Sequence, residues 1–127
     1  MNEIPLHSYK SLIVWQKAVD LVVLIYELIE LFSKTERYGL SSQMTRAAVS
    51  IPSNIAEGRR RGTKKDFKHF LQIAFASGAE LETQIEICKR LPWGKGISFD
   101  VAEQILLEVM KMLNRMIINF VIEETGS

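Results

Sequence analysis

The chain has 127 residues, 47% hydrophobic and 24% charged, with 16 Lys and Arg against 15 Asp and Glu for a formal net charge of +1. That length suits a single domain, 1–127, with a real core, and the apolar fraction excludes a disordered chain. The even charge balance excludes a global pull toward nucleic acid or membrane, so any electrostatic function must be local.

Cys88 is the only cysteine. It rules out an intramolecular disulfide and a Cys-rich zinc site, and it points to a reducing, cytoplasmic compartment. The first ten residues lack the basic start and apolar run of a signal peptide. No apolar stretch reaches membrane-spanning length.

Four amphipathic segments follow in chain order. The first, 12–33, has no Gly or Pro and places Trp15, Ala18, Val19, Val22, Tyr26, Ile29 and Phe32 at helical spacing, which reads as its core line. It carries further apolar groups, Val14, Leu21, Leu24, Leu28 and Leu31, leaving only a narrow polar strip through Gln16, Asp20, Glu27 and Glu30. A lone bundle needs one apolar stripe per helix. The surplus line is therefore the expected interface with another copy of the protein, since burial stabilises by roughly 25 cal/mol per Å².

The second helix, 39–60, runs through Leu40, Met44, Ala47, Ala48, Ile51 and Ile55. Pro52 inside it lacks an N–H and crowds the carbonyl four residues back, so a kink is expected there. Thr63 followed by Asp66 forms a capping box that starts the third helix, 64–91. Its core face is Phe67, Phe70, Leu71, Ala74, Gly78, Leu81, Ile85 and Cys88, and Pro92, Gly94 and Gly96 end it. A second capping box, Asp100 with Glu103, opens the fourth helix, 100–123, whose core line is Ile105, Val109, Met112, Leu113, Met116 and Phe120. With short connections, the fold class is all-α, an up-down-up-down antiparallel four-helix bundle.

The strongest local chemical signal is Arg59, Arg60, Arg61, Lys64, Lys65 and Lys68, six cations within ten positions at the turn between helices two and three. Together with the positive N-terminus of helix three they can hold phosphate groups of RNA or DNA. Such a run also suits a plain solvated connection whose cations complement the C-terminus of helix two. Phe67 and Phe70 fall on the expected core face, so aromatic partners for bases are not evident, and backbone recognition with a steep salt dependence is the expected mode.

A second signal is the polar line Arg46, Ser50, Asn54 and Glu57 on helix two, facing Ser77, Glu80 and Gln84 on helix three. An Arg46–Glu80 pair inside a satisfied network would fix helix register. The sharper alternative is a small-ligand site. No cofactor is expected. A di-iron bundle needs two Glu-x-x-His motifs, whereas this chain has one acid-x-x-His pair, Asp66 with His69, and a second histidine, His7, far off in the N-terminal arm. Cys88 lies on a core face, and no nucleophile elbow or phosphate loop occurs, so no catalytic set is recognised and the chain is not expected to be an enzyme.

The stretch Tyr38-Gly39-Leu40, then Gln43, then Arg46-Ala47-Ala48-Val49-Ser50-Ile51-Pro52-Ser53-Asn54-Ile55-Ala56-Glu57-Gly58, resembles the signature of the 23S ribosomal RNA intervening-sequence proteins. Val14-Trp15-Gln16-Lys17-Ala18 is similar to the family's first helix. Phe70-Leu71-Gln72-Ile73-Ala74 and Glu80-Leu81-Glu82-Thr83-Gln84 are similar to its third. The resemblance runs from about Leu12 to Phe120. It implies a four-helix bundle protomer in a homopentameric ring, encoded in some bacteria within insertions in ribosomal RNA genes. A related branch, the accessory variability proteins of diversity-generating retroelements, forms basic pentamers that bind nucleic acid and a reverse transcriptase. The expected partners are therefore further copies of the chain, together with RNA or DNA at the basic turn or, alternatively, a protein such as a reverse transcriptase.

Overall fold

The computed structural model describes residues 6–36 and 38–125, with side chains described through Phe120. Four α-helices carry the fold: α1 Ile13–Ile29, α2 Leu40–Arg61, α3 Lys64–Arg90 and α4 Asp100–Thr125. Short 3₁₀ turns sit at Ser8–Ser11, Lys34–Glu36 and Pro92–Gly94, and no strand occurs among the described residues. Each helix packs on the next in sequence, and α4 returns against α1. Gly58 lies against Phe70 and Met44 against Cys88, so α2 and α3 run in opposite directions.

One continuous core lies between the helices. Leu21 and Ile25 of α1, Met44, Ile51 and Ile55 of α2, Leu71, Leu81 and Ile85 of α3, and Leu106, Val109 and Leu113 of α4 are all buried. Gly78 brings α3 close to α4, because any Cβ there would collide with the Met110 side chain.

The inward face of α1 differs from the expected one. Val14, Ala18, Leu21, Ile25, Leu28 and Phe32 are buried, whereas Tyr26 is 48% exposed and Trp15, Val19, Val22 and Ile29 are half-buried. Val14, Leu21 and Leu28 therefore belong to the protein's own core and are withdrawn from the expected copy-to-copy interface. Leu24 is half-buried against that core, and Leu31 remains exposed beyond the helix end. The physical reason is geometric: two apolar lines about 100° apart fit the helical period equally well, and only the line opposite the polar strip can face inward. α1 also ends at Ile29, short of the expected boundary, and the chain tightens so that the Leu31 and Phe32 amides bond to Leu28 and Ile29 carbonyls.

α2 continues through Pro52 as a single helix, with the proline ring buried. Gly62 caps it in the left-handed region at φ 87°, a conformation glycine reaches without a Cβ penalty. Thr63 then caps α3, its hydroxyl accepting the Asp66 amide at 3.1 Å. The expected cap at Asp100 is not formed: the Glu103 amide bonds to the Phe99 carbonyl at 2.8 Å, and the Glu103 carboxylate reaches Lys89. Asp100 is the first helical residue, where its charge still suits the positive end of the helix.

Candidate nucleic-acid interface

The last turn of α2 and the first turn of α3 meet at Gly62 and Thr63, which places Arg59, Arg60, Arg61, Lys64, Lys65 and Lys68 at one end of the bundle. Arg60, Arg61, Lys64 and Lys65 are exposed; Arg59 and Lys68 are half-buried. Among the described residues, opposing charge nearby includes Asp66 in the first turn of α3 and Glu57, which binds Arg61 at 2.9 Å across one helical turn. Such an exposed pair is worth about 0.3–0.5 kcal/mol.

The folded chain adds aromatic rings to this end. The N-terminal 3₁₀ turn packs on α2, and the Arg60 Nε donates to the Leu6 carbonyl at 2.8 Å. The Arg60 guanidinium carbon then sits 5.5 Å from the centre of the Tyr9 ring. Tyr9 meets Trp15 edge to face at 5.3 Å and His7 at 6.5 Å. On the other side, the Arg61 guanidinium carbon lies 5.0 Å from the Phe70 ring, and His69 meets Phe70 edge-on at 5.4 Å. Phe67 is fixed against Phe120 at 5.6 Å, beneath the cations. The expected place of Phe70 on the core face is corrected. Phe70 is only half-buried, and Tyr9 arrives from a segment remote in sequence.

The polar line of α2 and α3 does come together, through smaller groups than expected. Ser50 and Ser77 share a 2.8 Å hydrogen bond, and Asn54 donates to the Ser50 carbonyl at 2.8 Å and to its hydroxyl at 2.9 Å. Gln84 donates to Glu80 at 3.3 Å, and its buried Oε1 has no partner among the described residues. The expected Arg46–Glu80 pair does not form among the described residues: Arg46 is exposed, and Glu57 is turned to Arg61. Arg46 instead helps line an open groove of about 1240 Å³ with Ile29, Ser42, Thr45, Val49 and Ser53.

Cys88 is fully buried with its Sγ 3.5 Å from Met44 Sδ, and burial, aided by the Glu36 charge, pushes its thiol up to about 11. A protonated thiol with no solvent access is a poor nucleophile. Among the described residues no cluster of three His, Cys, Asp or Glu side chains is placed to hold a metal ion, and no helix is long and apolar enough to cross a membrane.

Residues 10–115 match the family model described as 23S rRNA-intervening sequence protein. The chain belongs to that family. Among solved structures, a protein of unknown function from the S23 ribosomal protein family of Bacteroides thetaiotaomicron is similar to it, with a TM-score of 0.71 and 27% identity. That similarity covers 83% of this chain and 98% of the other. No curated protein matches significantly. The family match includes the whole basic turn and the polar line, whereas Leu6 and Tyr9, which meet Arg60, and His7, which meets Tyr9, precede it.

Proposed function

We propose that the protein is a non-enzymatic, self-assembling scaffold of up-down-up-down bundles that binds RNA or DNA backbones at its basic end. The observation that carries this reading is the concentration of Arg59, Arg60, Arg61, Lys64, Lys65 and Lys68 at one end of a chain whose net charge is only +1. Local positive potential survives where global charge cancels, and clustered cations release counterions from phosphate chains. In a gel-shift assay, replacing Arg59, Arg60 and Arg61 with Ala should weaken the complex and lower the salt slope by about 2–3. Unchanged binding by the variant, or none by the wild type at low salt, contradicts the proposal.

The outer line of α1 supports assembly. Trp15, Val19, Val22, Tyr26 and Ile29 recur at alternating steps of four and three, the spacing of a seam between helices, and stay only partly covered within one chain. A homopentameric ring, as the family resemblance implies, in the reducing cytoplasm that a single cysteine suits, would cover that line and repeat the basic end around its rim. Analytical ultracentrifugation should give a pentamer, and a strict monomer at micromolar concentration contradicts this part. The same stripe favours a second reading, an adaptor that docks a protein such as a reverse transcriptase. Co-purification of a protein partner that survives nuclease treatment would select it.

A further inference from the structure

Arg60 and Arg61 are neighbours in the last turn of α2, so their side chains leave the helix about 100° apart. Both are exposed, and both are held in the same way. Each has an aromatic ring beside the guanidinium, Tyr9 at 5.5 Å and Phe70 at 5.0 Å. Each also has an acceptor at its edge: the Leu6 carbonyl for Arg60 at 2.8 Å and the Glu57 carboxylate for Arg61 at 2.9 Å. Exposed imidazoles flank the pair, His7 beside Tyr9 and His69 beside Phe70.

Backbone binding alone requires none of this. A phosphate is held well by a flexible ammonium such as exposed Lys65, and a guanidinium grips phosphate at two points only through an N–H edge that is still free. Here an edge of each guanidinium is already used, while over half of the Arg61 side chain, 51%, stays open to solvent. A ring on one side and an acceptor at the edge hold the guanidinium in place before any ligand arrives, which lowers the ordering cost of binding. A planar cation fixed in this manner presents a flat face, and flat cationic or aromatic faces are what unpaired bases stack on. In a duplex those base faces are already stacked on one another.

We infer that the basic end of the bundle takes single-stranded nucleic acid, stacking one unpaired base on each of the Arg60 and Arg61 guanidinium groups while the neighbouring cations hold the backbone. The inference rests on the reading of this end as a nucleic-acid surface and adds the class of strand it selects. Charge density sets the opposite expectation, because a duplex offers more phosphates per length than a single strand.

Fluorescence anisotropy with three labelled probes of about 20 nucleotides, longer than one site, separates the two effects. The probes are oligouridylate, an abasic strand with the same phosphates, and a duplex. The wild type is expected to bind oligouridylate more tightly than the duplex and about tenfold more tightly than the abasic strand. The double variant Arg60→Lys, Arg61→Lys keeps both charges and loses both planes; it should lose that advantage on oligouridylate and leave the other two probes unchanged. A duplex bound as tightly as the single strand, equal binding of the abasic strand, or a variant that weakens all three probes alike overturns the stacking inference and leaves the backbone surface standing. No binding of any probe by the wild type overturns both. The comparison among probes needs no variant, so it does not depend on how the substitutions fold.

Discussion

Both ends of the bundle pack ring on ring, but only one of them also sets rings beside arginines. At the end where α1 finishes and α3 gives way to α4, Phe32 packs on Trp93 at 4.7 Å and on Phe99 at 6.2 Å, with Phe32 and Phe99 buried. Nearby, Lys89 pairs with Glu103 at 3.2 Å and Arg90 with Glu86 at 2.9 Å. At the other end, Tyr9 and Phe70 lie beside exposed guanidiniums instead of against each other. The difference teaches that a ring contributes mainly stability when another ring covers it, and positions charge when a cation covers it.

That contrast is broken most severely at the closed end. Phe99→Ala should destabilise the bundle by about 3–5 kcal/mol in chemical denaturation, because a buried ring is lost and its space is only partly refilled. Binding by the molecules that remain folded should not change. An intermediate effect is expected at Gly58, where an added Cβ would come within 2.7 Å of Phe70 Cβ and 3.1 Å of the Phe67 ring. Gly58→Ala should cost about 1–3 kcal/mol from overpacking and also displace the ring beside Arg61, so stability and binding fall together.

A smaller effect, set by pH, belongs to Cys88. Its thiol is pushed up to about 11 from an ordinary 9.0, first by burial and then by the Glu36 charge, so between those values the folded state keeps a proton that the unfolded chain has lost. Stability should therefore decline as pH rises from about 9 to about 11, and Cys88→Ala should flatten that decline in denaturation midpoints. The smallest change is Tyr9→Leu, which removes the ring beside Arg60 and keeps an apolar side chain. It should cost about 0.5–1 kcal/mol in stability and weaken binding of single strands alone.

Much of the fold was legible in the sequence because helix ends are written in local chemistry. Thr63 caps as its spacing to Asp66 indicates, and Pro92 to Gly96 ends α3 with no ambiguity. The face of α1 was misread because its two apolar lines satisfy the same period. The polar strip through Gln16, Asp20 and Glu27 was the signal that points to Val14, Leu21 and Leu28 as inward residues. Asp100 resembles a cap residue, yet the backbone enters α4 one residue earlier, through buried Phe99. The basic cluster was legible because its residues are contiguous. Its partners were not, since the Leu6 carbonyl that fixes Arg60 lies 54 positions away and no local pattern announces such a contact.

On the proposed function, nucleic acid meets this protein at the end formed by the N-terminal arm and the α2–α3 turn. Ultraviolet crosslinking of a bound strand, followed by peptide mapping, tests it most directly. Crosslinks are expected in peptides containing Tyr9 and in those spanning Arg59 to Phe70. Crosslinks confined to the closed end around Phe32, Trp93 and Phe99, or to the groove beside Arg46, would contradict it.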